Sequence, residues 1–170
     1  MLFRFSVVTF TAILTRHICM SDEYIQPGTP ELDVTFDGGK KVSLGNELSP
    51  SATSSKPTLN WNASPESLYT VIMVDPDAPS RKRPSLRDYL HWVVIDVPGS
   101  HVKQGKELVS YMGPAPPSGT GLHRYYFLVY KQTRSVSLEK SARANFDTHK
   151  FVKDNGLGNP VAGNYFQAKN

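Results

Sequence analysis

The sequence lacks several features that define specialised classes of protein. It contains a single cysteine, Cys19, so no internal disulfide can form and the chain is not a small disulfide-stapled fold. No apolar run approaches the ~20 residues that a membrane-spanning helix needs. The hydrophobic content of 39% is too high for an intrinsically disordered chain, which buries too little surface to offset its ordering entropy. A length of 170 residues suits one domain with its own core.

A concentrated excess of charge is also missing. The formal net charge is +4, and Arg4 and Arg16 supply part of it within residues 1–20, which contain no acidic residue. The rest of the chain is close to neutral, whereas a nucleic-acid-binding domain presents a concentrated basic face. We therefore expect no nucleic-acid partner.

Residues 1–20 (MLFRFSVVTFTAILTRHICM) differ in composition from everything that follows. A basic residue before the apolar stretch 5–14 is typical of a secretory signal, although residues 16–20 make a poor cleavage site. The absence of acidic residues suits a mitochondrial presequence equally well, and initiation at Met20 would give a cytosolic chain. We predict a targeting or leader segment at residues 1–20 and one domain at residues 22–170. The predicted location is cytoplasmic, with a secreted or mitochondrial location as alternatives that depend on the fate of residues 1–20.

The sequence contains no signature of a common catalytic centre. A G-x-S-x-G nucleophile elbow, a P-loop, a dinucleotide-binding fingerprint and an H-E-x-x-H zinc motif are all absent. The Gly-Thr-Gly at residues 119–121 precedes a predicted strand rather than a helix, so it does not match a nucleotide-binding loop. Cys19 lies outside the predicted domain. No catalytic nucleophile can therefore be assigned.

Hydrophobic residues recur with a period of two from residue 32 onward, which is typical of β-strands. Strands are predicted at residues 32–36, 42–44, 59–61, 69–74, 90–97 and 123–131. An Asp-Gly-Gly turn at residues 37–39 joins the first two in a hairpin. The run YTVIMV at residues 69–74 is apolar on both faces, so we expect it at the centre of a sheet. Residues 100–122 are predicted as a loop-rich return.

A short helix is predicted near the C-terminus. Asp147 can cap its first turn, the helix can run through Asn155, and Gly156 can end it in a left-handed conformation. The many strands and the one or two short helices indicate an all-β fold, either a sandwich or a closed sheet.

Polar side chains lie at the ends of three of the predicted strands. Asp75 and Asp77 follow the predicted central strand, His91 begins the next strand, and His123 and Tyr125 begin the last one. If both later strands run antiparallel to the first, one end of the sheet gathers all five side chains. Alternation along a strand also places His123 and Tyr125 on the same face.

Three kinds of site are compatible with these side chains. Two histidines with carboxylates suit a divalent transition metal. An aspartate that orients a histidine suits acid–base catalysis. Histidines held and charged by aspartates can instead donate hydrogen bonds to a zwitterion or a phosphate. The ordinary alternative is that DPDAP at residues 75–79 is only a turn that ends a strand and that the histidines are buried core groups.

Several segments resemble the phosphatidylethanolamine-binding protein family, which includes the Raf kinase inhibitor protein and the plant flowering-time regulators. They are DPDAPSR from residue 75, LHWVV from residue 90 and GTGLHRY from residue 119. The resemblance extends to LNW at residues 59–61 and to GNPVAGNYFQA at residues 158–168. It covers about residues 22–168 in the family's order.

The resemblance implies an all-β fold in which a large antiparallel sheet packs on a smaller sheet, with one or two short peripheral helices. It also implies a small anion pocket at one end of the large sheet. The ligand-binding residues that it implies are Asp75, Asp77, Pro79, His91, Pro116, His123 and Tyr125. Leu86 and Ala115 depart from the pattern, because animal members often have tyrosine and glycine there.

The function implied by the resemblance is that of a non-catalytic binding or regulatory protein, a monomer without cofactor or metal. The implied ligands are phospholipid head groups, such as that of phosphatidylethanolamine, or other phosphorylated groups. A kinase or another signalling protein is the implied partner, and a serine protease inhibitor is the alternative function.

Two further expectations concern charge. We expect His91 and His123 to be charged and to donate to phosphate, because a neighbouring carboxylate raises the pKa of a histidine. The basic loop at residues 81–87 contains Arg81, Lys82 and Arg83 together with Arg87. It is either a solvated loop or a surface that attracts an acidic partner or an anionic membrane, so peripheral membrane contact is an expectation of the second reading.

Overall fold

The computed structural model describes residues 24–139 and 142–170. The predicted leader at residues 1–20 lies outside this part of the chain. The described residues form two antiparallel β-sheets, one short α-helix and three short 3-10 helices. The predicted all-β class, with a large sheet packed on a smaller one, is confirmed.

The smaller sheet has three strands in the order β2-β1-β3. Its strands are β1 (Asp33–Phe36), β2 (Lys40–Lys41) and β3 (Thr58–Asn60). The predicted turn joins β1 to β2, and Gly38 and Gly39 have φ values of 67° and 73° that favour glycine. The hairpin is confirmed, but the predicted strand at residues 42–44 is wrong, because Leu44 adopts a φ of 38° that a strand cannot contain.

The larger sheet has five strands in the order β6-β5-β4-β7-β8. Its strands are β4 (Leu68–Asp75), β5 (Tyr89–Pro98), β6 (Lys106–Val109), β7 (His123–Lys131) and β8 (Ala162–Ala168). β4 is central and buried along almost its whole length, as its apolar sequence predicts. Both β5 and β7 run antiparallel to it. The end of β4 therefore lies beside the beginnings of β5 and β7, which is the arrangement that the predicted site requires.

Two strands of the larger sheet were not predicted. β6 falls inside the predicted loop-rich return, and its side chains are exposed or half-buried, so it shows no clear apolar alternation. β8 contains Gly163 and Asn164, which are residues depleted in strands. Asn164 is nevertheless fully buried, and its side-chain amide bonds the backbone of Leu32, Val42 and Leu44. Tertiary contacts therefore decide the position of β8.

Apolar side chains cover both faces of the larger sheet. One face packs against the smaller sheet around Trp92, Phe127 and Phe166. The opposite face packs beneath the helix and its flanking segments, around Leu128 and Phe151. Truncating an aromatic side chain of this kind to alanine costs about 3–5 kcal/mol of stability. The larger sheet therefore packs against an apolar layer on each of its faces.

The helix α1 (Thr148–Asp154) is confirmed with the predicted caps. The Asp147 carboxylate accepts a hydrogen bond of 2.8 Å from the backbone N–H of Lys150, and Gly156 has a φ of 63° beyond the last turn. Within the two described stretches, no helix has the length and apolar character needed to cross a membrane.

Candidate functional site

A cavity of about 200 Å³ lies where β4 ends and where β5 and β7 begin. Six of the seven predicted ligand-binding residues line it: Asp75, Pro79, His91, Pro116, His123 and Tyr125. The seventh, Asp77, does not. The antiparallel pairing of three strands therefore gathers side chains from positions 75 to 125 of the chain.

Asp75 and His123 form a buried pair at the base of the cavity. His123 Nδ1 lies 2.8 Å from Asp75 Oδ2, and both residues are less than 5% exposed. The other ring nitrogen, Nε2, lies 3.0 Å from the hydroxyl of Thr120. That hydroxyl lies 2.6 Å from the carbonyl oxygen of Pro117, to which it donates its hydrogen. Both nitrogens of His123 are therefore engaged by protein groups.

His91 reaches the cavity because β5 contains a β-bulge at this residue. Leu90 pairs with Val74 and Trp92 pairs with Met73, so His91 has no partner on β4. A bulge places an extra residue in one strand and re-aims its side chain. The ring of His91 packs edge-on against Tyr125, with ring centroids 5.2 Å apart.

The imidazole of His91 is held by a backbone carbonyl. Its Nδ1 lies 2.7 Å from the carbonyl oxygen of Met112. Burial lowers the pKa of His91, and the charges of Arg143 and His123 act in the same direction, against the Met112 carbonyl and the Asp75 carboxylate. Asp75 does act to raise the pKa of His91, as expected, but desolvation outweighs it, so the net shift disfavours the expected charged form.

Tyr125 presents a neutral phenol to the cavity. Its ring stacks on Phe166, and it is 1% exposed. Burial raises the pKa of Tyr125 well above its ordinary value, and the charges of Asp75 and Asp77 add to the effect. Tyr125 lines the cavity. A phenol in this state can donate a hydrogen bond to a ligand oxygen.

Asp77 faces away from the cavity. Its carboxylate accepts hydrogen bonds from the Arg124 side chain, at 2.7 and 2.9 Å, and from Arg81 at 3.2 Å. Burial alone would raise the pKa of Asp77, but the hydrogen bonds and charge of Arg124, together with the charge of Arg81, hold it below the usual value. Its backbone N–H donates to Asp75 Oδ1 at 2.7 Å. Asp77 therefore supports Asp75 from behind.

Several residues of the cavity were not among the predicted ligand-binding residues. Tyr89 and Met112 line its rim, and Thr120 bonds His123 from the Gly-Thr-Gly segment. Nothing in the sequence pattern singles out Met112, because it acts through its backbone carbonyl. The two departures from the family pattern, Leu86 and Ala115, also line the cavity.

The basic loop is only partly free to meet a partner. Arg81 bonds Asp77 and the side chain of Gln167, so its charge is already engaged. Lys82 and Arg83 are exposed. Leu86, in the same loop, lines the cavity, whereas Lys82 and Arg83 do not.

A larger cavity of about 670 Å³ lies elsewhere, between β3, β5 and β6. Two of its charged side chains, Lys56 and Glu107, bond each other, and Glu107 also accepts from the Trp92 indole at 3.1 Å. It does not contain the predicted side chains. Across the described residues, no group of three or more His, Cys, Asp or Glu side chains is arranged to hold a metal ion.

The fold and the cavity define a two-sheet β protein with a small polar site at one end of its larger sheet. Residues 38–166 match the sequence model of the phosphatidylethanolamine-binding protein family. The chain therefore belongs to the phosphatidylethanolamine-binding protein family.

Curated relatives show the same similarity over most of the chain. CEN-like protein 1 of Nicotiana tabacum is 42% identical over 142 residues, which cover 82% of this chain and 80% of the relative. The 26 kDa secreted antigen of Toxocara canis is 36% identical over 146 residues, which cover 81% of this chain and 56% of the relative. The chain is thus similar both to a plant CEN-like protein and to a secreted antigen of a nematode.

Solved structures share the fold. A carboxypeptidase Y inhibitor, complexed with its cognate proteinase, has a TM-score of 0.74 and 31% identity, with 85% of each chain covered. A phosphatidylethanolamine-binding protein from Plasmodium vivax has a TM-score of 0.69 and 28% identity, with coverages of 84% and 87%. The family is generally one of binding and regulatory proteins rather than catalysts.

Proposed function

We propose that this chain is a non-catalytic binding and regulatory protein whose cavity holds a small phosphate-bearing group, such as the head group of phosphatidylethanolamine. The observation that carries the proposal is the meeting of Asp75, His91, His123 and Tyr125 around one small space. Each side chain is at least nine-tenths buried. Buried polar groups are normally hydrogen-bonded, and a ligand oxygen can complete the hydrogen bonding of Tyr125 and His91.

The polar groups suit an oxyanion. The Tyr125 hydroxyl is a donor, and its raised pKa keeps the hydrogen on it. The Asp75–His123 pair balances its own charge when the ring is protonated, so it adds no repulsion to an anion.

Calorimetric titration with phosphoethanolamine tests the proposal. Tyr125→Phe should weaken binding about tenfold, because a hydrogen bond to a charged group contributes about 1.5–3 kcal/mol. Tyr126→Phe is the matched control, since Tyr126 is the next residue and packs into the opposite apolar layer. Failure of wild-type protein to bind phosphoethanolamine, inorganic phosphate or methyl phosphate would refute the proposed function.

Regulation of a protein partner is the second part of the proposal. A kinase or another signalling protein is the proposed partner, and a protease is the alternative, which the inhibitor-like solved structure favours. Inhibition assays against a panel of serine proteases separate the two. Inhibition of a protease at equimolar protein would support the alternative, and inhibition of none would remove it.

The cellular location and the segment at residues 1–20 form a separate proposal. We retain a cytoplasmic location, with a secreted or mitochondrial one if residues 1–20 are removed as a targeting segment. The similarity to the 26 kDa secreted antigen of Toxocara canis supports the secreted alternative. Intact-mass measurement of protein purified from its source would reveal the mature N-terminus and thereby decide between these locations.

A further inference from the structure

We propose that the cavity selects a phosphate monoester in its singly protonated form, with His91 Nε2 accepting the hydrogen of the ligand's P–OH group. This inference rests on the proposed function, because it names the preferred chemical form of the ligand for the same cavity. A diester such as the phosphatidylethanolamine head group has no P–OH, so it is expected to bind more weakly than a monoester. It assigns His91 the role of an acceptor, where a cationic donor would be the ordinary expectation at an anion site.

The hydrogen-bond geometry of His91 makes Nε2 the acceptor whenever the ring is neutral. A carbonyl oxygen can only accept, so the contact of 2.7 Å between Nδ1 and the Met112 carbonyl places a hydrogen on Nδ1. In a neutral imidazole the other nitrogen then carries a lone pair. Nε2 of His91 has no hydrogen-bond partner within residues 24–139 and 142–170, and the ring lines the cavity.

Charged groups on every neighbouring element decide whether His91 stays neutral. Asp75 at the end of β4 favours the charged ring, whereas His123 on β7 and Arg143 oppose it. Arg143 donates to the carbonyl oxygen of His91 at 3.1 Å, from behind the ring. Tyr125 and Tyr89 pack against the ring as neutral aromatic groups. The ring is 4% exposed, so burial dominates and lowers the pKa.

His123 cannot take the role of acceptor. Its Nδ1 faces a carboxylate and its Nε2 faces the Thr120 oxygen. Thr120 has given its own hydrogen to Pro117 at 2.6 Å, so its oxygen accepts from Nε2. Each contact therefore uses a hydrogen on the ring of His123, which leaves no lone pair for a ligand.

The charge of the cavity also favours a singly charged ligand. No lysine or arginine is among the residues that line it. The cationic form of His123 is balanced by Asp75 at 2.8 Å. A doubly charged phosphate would bring two uncompensated charges into a buried site, and burying each unpaired charge is strongly unfavourable. A singly protonated monoester carries one charge fewer, and its P–OH supplies the donor that His91 lacks.

Three small probes test the assignment by calorimetry between pH 6.5 and 8. Methyl phosphate has a removable hydrogen with a pKa of about 6, whereas dimethyl phosphate and methyl sulfate are singly charged and have none. We expect methyl phosphate to bind at least about tenfold tighter than the other two at pH 6.5, the equivalent of one satisfied buried acceptor. Its affinity should fall nearly tenfold per pH unit above pH 7, while that of methyl sulfate stays constant.

The same experiment distinguishes the competing explanations. If the affinity for methyl sulfate falls with rising pH in parallel with that for methyl phosphate, His91 binds as a cation and the inference is wrong. Equal, pH-independent affinities for methyl phosphate and methyl sulfate would also overturn it, while leaving the proposed function intact. Glycerophosphoethanolamine, a diester with an ammonium group, tests whether that ammonium can replace P–OH as the donor to His91. If it matches methyl phosphate, the ammonium satisfies His91 and selection of the monoester is overturned.

A direct readout comes from the imidazole ¹⁵N resonances of the wild-type protein saturated with methyl phosphate. The inference requires an unprotonated Nε2 and a protonated Nδ1 on His91 in the complex. A complex in which both nitrogens of His91 are protonated would refute it, whatever the affinities.

Discussion

The two β-bulges of β5 differ in what happens to the polar groups that they contain. At the start of the strand, the bulge at His91 leaves Nε2 of the imidazole facing a cavity. Toward its end, a second register shift accompanies Asp96, which has a φ of 56°. There the Gln132 amide accepts from the Asp96 backbone N–H at 2.8 Å and from the Thr70 hydroxyl at 3.0 Å, and it donates to the Asp96 carboxylate at 2.8 Å.

The comparison shows how one backbone irregularity can serve two purposes. The bulge at Asp96 is closed by a complete hydrogen-bond network, which is the expected state of buried polar groups. The bulge at His91 keeps an acceptor open at a buried position. An irregularity whose polar groups are all satisfied contributes to stability, whereas one that leaves a group unsatisfied is a candidate for recognition.

Among the variants considered, replacement of Gln132 should cause the largest loss of stability. Gln132→Leu is expected to lower the free energy of unfolding by about 2–3 kcal/mol, because three hydrogen bonds are lost and the buried Thr70 hydroxyl is left without a partner. Urea denaturation measures the loss, and Lys131→Leu at the exposed neighbouring position is the control. Phosphoethanolamine affinity should be unchanged, and a matching loss of affinity would contradict the separation of roles.

Asp77 should act as a structural group within the binding end. Asp77→Asn is expected to cost about 1–2 kcal/mol at pH 7, discounted because Arg124 is partly exposed. Folding lowers the pKa of Asp77, so its contribution is present above the unfolded-state pKa of about 3.9 and is lost as pH falls through the folded-state value.

Denaturation of Asp77→Asn and wild type at several pH values checks this prediction. The difference in stability should shrink as the pH falls below the ordinary pKa of about 3.9 and through the lowered folded-state value. Asp33→Asn, at an exposed position of β1, is the control. An undiminished difference at low pH would assign the loss to packing rather than to charge.

Replacement of His91 should lower ligand affinity more than stability, whereas replacement of Gln132 should lower stability and leave affinity unchanged. His91→Ala is expected to weaken phosphoethanolamine binding about tenfold, or about 1.4 kcal/mol. Its cost in stability should stay below that of Gln132→Leu, since it removes one hydrogen bond, to Met112, together with the ring contacts to Tyr89 and Tyr125. Titration and urea denaturation of the same variant measure both quantities, with His101→Ala as an exposed control. Lost stability without lost affinity would make this bulge structural as well.

The exposed part of the basic loop should have the smallest effect. Replacing Lys82 and Arg83 by glutamate is expected to weaken binding to vesicles rich in acidic lipid by about 1 kcal/mol per residue. Phosphoethanolamine affinity should not change, because neither side chain lines the cavity. Co-sedimentation measures vesicle binding, and reversal of Lys40 and Lys41 on the smaller sheet is the control. Equal losses in both variants would indicate a general charge effect.

Much of the fold could be predicted from local sequence. The central position of β4 could be predicted because its side chains are apolar at successive positions, whereas a strand with one face in solvent alternates between apolar and polar residues. The caps of α1 could be predicted from Asp147 and Gly156. β6 and β8 could not be found in this way. The side chains of β6 are too exposed to alternate clearly, and β8 depends on Asn164, whose amide is satisfied only by backbone groups distant in the sequence.

The candidate site was predictable as a set of residues but not as a set of roles. Strand ends and antiparallel pairing brought Asp75, His123 and Tyr125 together as expected. Asp77 is only two positions from Asp75, yet it faces Arg124 on the far side of the strand end. The sequence contains no signal for the Met112 carbonyl, because any residue supplies a carbonyl and only the folded chain decides which one meets His91.

The sequence by itself determined which residue types would gather at one end of a β-sheet, because alternation and strand-ending prolines are local properties of the chain. Only the tertiary structure decided the protonation of His91. The bulge turns the ring toward the cavity, a loop carbonyl fixes one nitrogen, and burial opposes the charged form. These three conditions arise from segments that meet only after folding, since desolvation and hydrogen bonding depend on neighbours in space.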